Sequence, residues 1–146
     1  MSFQFPLAAV LRYRESIEQR EQLALEKLQS EIAAVTVKVG QIEQECSAAA
    51  ENRTAKLAQG IRAAELKFAY EYHRALQQQL DALHKLSQEL KHKWNQQLAC
   101  YQLARRNRKT LEKLRDQQLE VYSRERAKRE QAVVDDIFLS RRRRGN

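Results

Sequence analysis

Three histidines and two cysteines are the residues of this sequence that could offer nitrogen or sulfur ligands to a metal ion. His73, His84 and His92 are too widely spaced for the i, i+4 pairing of two ligands on one helix face, and no carboxylate or cysteine joins them in a ligand-type arrangement. Cys46 and Cys100 lack C-x-x-C spacing and fall at or near apolar seam positions, which indicates small buried side chains. We therefore expect neither a metal site nor a cofactor.

Catalytic chemistry of other kinds also lacks its usual residue patterns. The sequence holds no glycine-rich phosphate loop, so no nucleotide site of its own is expected. The helices predicted below offer no concave pocket in which a nucleophile, a base and an oxyanion donor could converge. We predict that the chain is not an enzyme and has no small-molecule substrate, and that it acts by binding along an exposed surface.

The composition favours long helices. Three Gly and one Pro in 146 residues are too few for the turns of a compact fold. Charged residues make up 32% of the chain, and Ala, Glu, Lys, Leu, Gln and Arg dominate it. This mixture is typical of coiled coils when the apolar residues recur with helical periodicity.

Apolar residues recur in alternating steps of three and four along two heptad seams. The first seam comprises Leu28, Ile32, Val35, Val39, Ile42, Cys46 and Ala49. The second comprises Leu76, Leu80, Leu83, Ser87, Leu90, Trp94, Gln97 and Tyr101. Around residues 105–109 the pattern loses phase before it resumes at Leu111, Leu114 and Val121, which indicates either a local stutter or a thin, solvated seam.

The weakest helix formers lie between the two seams. Asn52, Thr54 and Gly60 favour a chain reversal there, and Pro6 suits the first turn of the first helix. We predict a helix over about 5–52, a reversal at about 52–63, a helix over about 64–140 and a basic tail at 141–146. The fold class is all-α: one coiled-coil domain over residues 1–146, formed as a long antiparallel two-helix hairpin whose C-terminal helix extends past its partner.

Positive charge is concentrated in the C-terminal half. The formal net charge is +8, and residues 105–146 hold fourteen Lys and Arg against seven Asp and Glu. In this region Glu120 with Arg124 and Arg126 with Glu130 fall at the i, i+4 spacing of helix ion pairs. The pairs fit a solvated coiled-coil arm, but the excess of positive charge indicates an acidic partner: nucleic acid, anionic lipid or an acidic protein.

The N-terminal stretch MSFQFPLAAVLRYRES lacks the features of a signal peptide, because its apolar run is short and is broken by Arg12 and Arg14. No apolar run reaches the length of a membrane-spanning helix. We expect a cytoplasmic protein.

The C-terminal third carries the features of a known family. The stretch KTLEKLRDQQLEVYSRERAKREQAVVDDIFLSRRRR closely resembles the C-terminal signature of the FliJ family, a soluble component of the bacterial flagellar type III export apparatus. The shared features are the Leu-rich run at 111–118, Arg129–Glu130–Gln131, the acidic pair Asp135–Asp136 and the basic cluster Arg141–Arg144. The opening FQFPLAAVLRYRESIEQ also looks like that of the family.

The resemblance implies an antiparallel coiled coil similar to the central stalk of rotary ATPases. It also implies three kinds of partner: the hexameric export ATPase, the cytoplasmic domain of the export-gate membrane protein and, in some members, export chaperones. A chain of this family would hydrolyse nothing. It would couple ATP hydrolysis to export of flagellar subunits, supporting flagellum assembly, motility and chemotaxis from the cytoplasmic face of the inner membrane at the flagellar base.

The resemblance also suggests contact residues. For the export gate these are Tyr72, Leu76 and Leu83; Leu76 and Leu83 fit ordinary seam packing equally well, so Tyr72 is the preferred candidate. For the ATPase they are Arg115, Asp116, Arg129, Asp135 and Asp136, each of which could instead be a solvated helix charge. Arg141–Arg144 either complement the negative end of the helix dipole or form a frayed tail attracted to anionic lipid.

Other functions stay open from the sequence. A nucleic-acid-binding coiled coil would use the basic region, although acidic residues alternate with the basic ones and aromatic residues for base stacking are scarce there. The equivalent stalk component of a virulence-type secretion system would share the fold and the kinds of partner. A purely structural spacer would have no dedicated partner.

Overall fold

The computed structural model describes residues 2–145, and within them it consists of two long helices. Helix α1 spans Ala8–Gln59 and helix α2 spans Ala63–Arg144, with 52 and 82 residues respectively. No strand occurs in the described residues. The two helices pack against each other, so the predicted all-α helical hairpin is confirmed.

The chain divides into two compact units, and each contains part of both helices. The second unit is Glu21–Tyr101. Near its turn the guanidinium of Arg53 lies 5.2 Å from the ring centroid of Tyr70. Toward the other end of this unit the side-chain amide of Gln97 donates to the backbone oxygen of Glu21 at 3.0 Å. Residues earlier in α1 thus meet residues later in α2, which makes the pairing antiparallel.

The first unit joins the chain up to Arg20 to the chain from Gln102 onward. Two contacts within it follow the same antiparallel order: Glu18 pairs with Arg108, and the ring of Phe3 lies 5.5 Å from that of Tyr122, centroid to centroid, at 48°.

Both predicted seams are the packed faces of the second unit. Every residue of the first and second seams is buried or half-buried. The alternation continues on α1 to Arg53 and begins on α2 at Leu66. A repeat of 3.5 residues keeps one row of each helix against its partner, and this explains why most of the other side chains are exposed.

The core is thin throughout the described residues. The buried apolar side chains number seven, and none of them is completely enclosed. The first unit contributes Phe5, Leu11 and Ala104, and the second contributes Val35, Leu76, Leu80 and Leu90. Because each buried aliphatic side chain contributes only about 1.5–3 kcal/mol, a core of this size leaves little margin of stability.

In the first unit the heptad seam keeps its phase, which corrects the predicted loss of phase around residues 105–109. From Tyr101 the buried or half-buried row continues in regular steps through Ala104, Arg108, Leu111, Arg115, Gln118 and Tyr122. The sequence concealed this row because a small residue and a cation occupy the positions after Tyr101. Val121, predicted to lie on the seam, is exposed.

The chain reverses at residues 60–62, inside the predicted interval of about 52–63, but helix α1 ends later than the predicted residue 52. Helix α1 continues through Asn52 and Thr54 to Gln59. The hydroxyl of Thr54 donates to the backbone oxygen of Ala50 at 2.9 Å, which satisfies this polar side chain inside the helix. Gly60 ends the helix with φ of 90°, a conformation that glycine adopts without a Cβ penalty.

The helix ends also differ from the prediction. Helix α1 begins at Ala8 instead of about residue 5, because Pro6 lies in the preceding turn, where the Ala8 N–H donates to Phe5 at 3.1 Å. Arg141–Arg144 form the last turn of α2 instead of a frayed tail. Four cations at a helix C-terminus are favoured by the helix dipole. Asn146, the last residue of the predicted tail, lies outside the described residues.

Candidate partner-binding surfaces

The seam of the first unit contains a cluster of charged side chains. Arg108 pairs with Glu18 across the two helices through Nε, and its Nη2 lies 3.4 Å from the second carboxylate oxygen of Glu18. Its Nη1 donates to Glu112 at 2.6 Å on the same helix. The side chains of Arg108 and Glu18 are only 20% and 13% exposed, so the fork-to-carboxylate pairing is partly shielded from water.

The same contacts fix the charge of the guanidinium. The hydrogen bond to Glu18 raises the pKa of Arg108, burial opposes this, and the negative charges of Glu18 and Glu112 raise it further. Since an ordinary arginine already keeps its proton far above neutral pH, Arg108 is positively charged at every physiological pH. The cluster can therefore act as a fixed ion pair that defines the register of the two helices.

A polar contact also explains one predicted interruption of the seam in the second unit. Gln97 donates through its amide to the backbone oxygen of Glu21 and to the carboxylate of the same residue. A polar seam residue that hydrogen-bonds to the facing helix destabilises the fold less than an unpaired one. It also favours one register of the two helices over others.

An open groove of about 720 Å³ lies beside the chain reversal in the second unit. We call it the hairpin-end groove. Exposed aromatic side chains form one wall: Phe68 is 71% exposed and Tyr72 is 44% exposed. Its other lining residues include the side chains of Ala49, Arg53, Ile61 and His73. A groove with aromatic and aliphatic walls and charged edges can accept an apolar segment of a partner protein.

The residues predicted to contact the export gate fall into two groups. Tyr72 lines the hairpin-end groove and is accessible. Leu76 is only 4% exposed and Leu83 is half-buried, and both lie on the seam. Sequence reasoning did not select Phe68, although its spacing of four residues from Tyr72 places both aromatic rings on one side of α2.

The five charges predicted to contact the ATPase all belong to the first unit. Nη2 of Arg115 lies 3.6 Å from Oδ1 of Asp116. Arg115 is half-buried on the seam and Asp116 is exposed. Arg129, Asp135 and Asp136 are exposed, and Asp135 accepts a hydrogen bond from Gln131 at 2.9 Å.

Every residue from 123 to 145 is exposed; we call this stretch the C-terminal segment. It contains the predicted ion pair of Arg126 with Glu130, at 2.9 Å, and Arg124 pairs with Glu120 as predicted. Sequence reasoning missed a stripe of exposed apolar side chains there, although their i, i+4 spacing was a readable signal. The stripe comprises Val133, Val134, Ile137 and Phe138.

The candidate metal-binding residues are dispersed. His73 is half-buried in the hairpin-end groove, whereas His84 and His92 are exposed. Within residues 2–145 no group of three or more His, Cys, Asp and Glu side chains is arranged to hold a metal ion. Cys46 is half-buried on the seam as predicted, but Cys100 is exposed, so the prediction of burial was wrong there. It lies one position beside the seam residue Tyr101.

Two long helices, a thin heptad core and extensive exposed charge define an all-α coiled-coil protein. The family described as flagellar FliJ protein matches residues 3–146, and the chain belongs to this family. Membership makes it a component of flagellar protein export. No match was found among curated proteins or solved structures. In the described part of the chain, neither helix has a stretch long and apolar enough to cross a membrane.

Proposed function

We propose that this FliJ-family chain binds the hexameric flagellar export ATPase and the cytoplasmic domain of the export-gate membrane protein, and couples ATP hydrolysis to export. The chain itself catalyses nothing in this proposal. The observation that carries it is the family match across residues 3–146. Binding to the gate would hold the protein in the cytoplasm at the inner membrane of the flagellar base, and export chaperones are a third class of partner.

The exposed charges of the first unit support an electrostatic contact with the ATPase. Asp116, Arg129, Asp135 and Asp136 are free to meet a partner, since each is on the surface. Charged rims of this kind govern the rate of association and its salt dependence. Arg115 belongs to the same surface through its pairing with Asp116.

Charge reversal tests the ATPase contact. We expect Asp135→Lys with Asp136→Lys, and separately Arg129→Glu, to raise the Kd for the ATPase by roughly tenfold, measured by titration calorimetry. The matched control is Asp81→Lys with Glu89→Lys, which reverses two exposed carboxylates of the second unit. Equal losses of affinity from the control pair and the test pair would contradict the proposed contact.

The hairpin-end groove supports the contact with the export gate. An exposed aromatic side chain in a groove is the usual anchor of a protein–protein contact. We expect Tyr72→Ser to weaken binding of the gate domain by about tenfold or more. Tyr13→Ser is the control, because Tyr13 is also an exposed tyrosine, on α1 in the first unit. Unchanged affinity of the Tyr72 variant would remove the groove from the proposal.

Leu76 and Leu83 need a different readout. Both lie on the seam, so replacing them would alter the packing of the hairpin itself. A loss of gate binding in a Leu76→Ala variant would count only if circular dichroism showed an unchanged helix content and unfolding midpoint.

A further inference from the structure

The stripe of the C-terminal segment combines apolar and cationic side chains on one helix face. Successive residues of an α-helix are rotated by about 100°. Between Val133 and Arg144 the face that carries the stripe therefore holds, besides its four apolar residues, only Arg141 and Arg144. Asp135, Asp136 and Leu139 lie on the opposite face. No acidic side chain interrupts the stripe over these twelve residues.

The surface is fully accessible in the described structure. Phe138 is 65% exposed and the other three stripe residues are about half exposed. The four arginines that follow form the last helical turn and are all exposed. Arg141–Arg144 are free to meet an external anion, because all five ion pairs within residues 2–145 involve residues earlier in the chain.

We propose that the stripe together with Arg141 and Arg144, the two arginines on its face, is a docking surface for anionic lipid headgroups at a membrane surface. A short amphipathic helix binds in the interface plane when its apolar face enters the headgroup region and its cations meet anionic lipids. The long stems of Arg141 and Arg144 cover apolar surface while their guanidinium groups stay at headgroup level. The two aspartates on the opposite face point to water in this arrangement.

The combination of cations and apolar side chains favours lipid over nucleic acid and over a second copy of the chain. Duplex nucleic acid would bind the same arginines through its phosphates. It would leave the four apolar side chains without a partner, because phosphate contacts involve cations and not apolar side chains. A second copy of the chain would bring a second set of four arginines against the first, which repel each other. An anionic bilayer satisfies both the cations and the stripe. The proposal does not depend on the ATPase contact, which uses Asp135 and Asp136 on the other face.

Vesicle co-sedimentation of the full chain tests the proposal. Phosphatidylcholine vesicles are compared with vesicles in which phosphatidylglycerol replaces part of the phosphatidylcholine. We expect binding to the anionic vesicles that is about tenfold or more tighter than to the neutral ones, and that weakens with added salt.

Two pairs of variants distinguish binding by the C-terminal segment from binding caused by overall charge or overall hydrophobicity. Replacing Arg141–Arg144 by glutamine should weaken binding to the anionic vesicles by about tenfold or more. The matched control replaces four exposed cations of the same unit by glutamine: Arg105, Arg106, Lys109 and Lys113. Phe138→Ser should weaken binding severalfold, whereas Leu139→Ser, which removes an apolar side chain from the opposite face that is also more than half exposed, should not.

Four outcomes would overturn the proposal. The first is binding that does not distinguish the two vesicle types, and the second is equal losses from test and control variants. The third is a chain that ignores anionic vesicles but retards duplex DNA, which would assign the arginines to nucleic acid. The fourth is a Phe138→Ser variant that changes only the oligomeric state in sedimentation equilibrium, which would make the stripe a contact between copies of the chain.

Discussion

Arg108 is the residue at which the seam of the first unit becomes charged. Replacing Glu18 by glutamine keeps the shape of the side chain that faces Arg108 but removes its negative charge. Because both side chains are largely shielded, we expect a loss of about 1–2 kcal/mol in the free energy of unfolding. Urea unfolding followed by circular dichroism measures this difference.

A surface ion pair of the same helix provides the control. Glu120→Gln removes the partner of Arg124, but both side chains are more than half exposed. An exposed i, i+4 pair contributes only about 0.3–0.5 kcal/mol, so this variant should be close to the parent. If Glu18→Gln is no more destabilising than Glu120→Gln, the pairing with Glu18 does not stabilise the unit.

At the scale of the element, the seams of the second unit could be predicted because their apolar residues follow the heptad closely. The seam of the first unit could not be predicted in full, because two of its positions do not look like seam residues. Ala104 is small and only weakly apolar, and Arg108 is charged. The continuity of this seam depends on the carboxylate of Glu18, which lies ninety positions earlier in the sequence. The sequence located the reversal within 52–63 but placed the end of α1 too early, because packing of residues near the turn, such as Arg53 against Tyr70, overrides local helix propensity.

The two glycines of the second unit should respond to alanine substitution with opposite changes in the free energy of unfolding. Gly60 has φ of 90°, so Gly60→Ala should cost about 1–2 kcal/mol of unfolding free energy. Gly40 lies inside α1, and an added Cβ meets no atom within 4 Å. Gly40→Ala should therefore stabilise the unit by about 0.5–1 kcal/mol. Urea midpoints of the two variants decide this, and shifts in the same direction would contradict the assigned roles.

At the scale of the whole molecule, the sequence predicted the family and the coiled-coil class more completely than it predicted the surfaces. Residues 109–144 carry the most specific part of the resemblance, the N-terminal opening carries a second part, and the family match covers 3–146. Accessibility is what the sequence could not supply: Tyr72 and Leu76 are both apolar residues near the middle of the chain, but only Tyr72 is exposed. The spacing of the stripe at Val133–Phe138 was readable, but its exposure was not, since its apolar residues resemble the end of a seam.

The central claim is that this chain couples to the flagellar export ATPase. Its most direct test is the steady-state rate of ATP hydrolysis by the cognate export ATPase, measured with increasing amounts of this protein. The account predicts a clear, saturable stimulation that is weakened by the reversal of Asp135 and Asp136 and unchanged by the reversal of Asp81 and Glu89. An unchanged rate at concentrations where circular dichroism shows both proteins folded would contradict it.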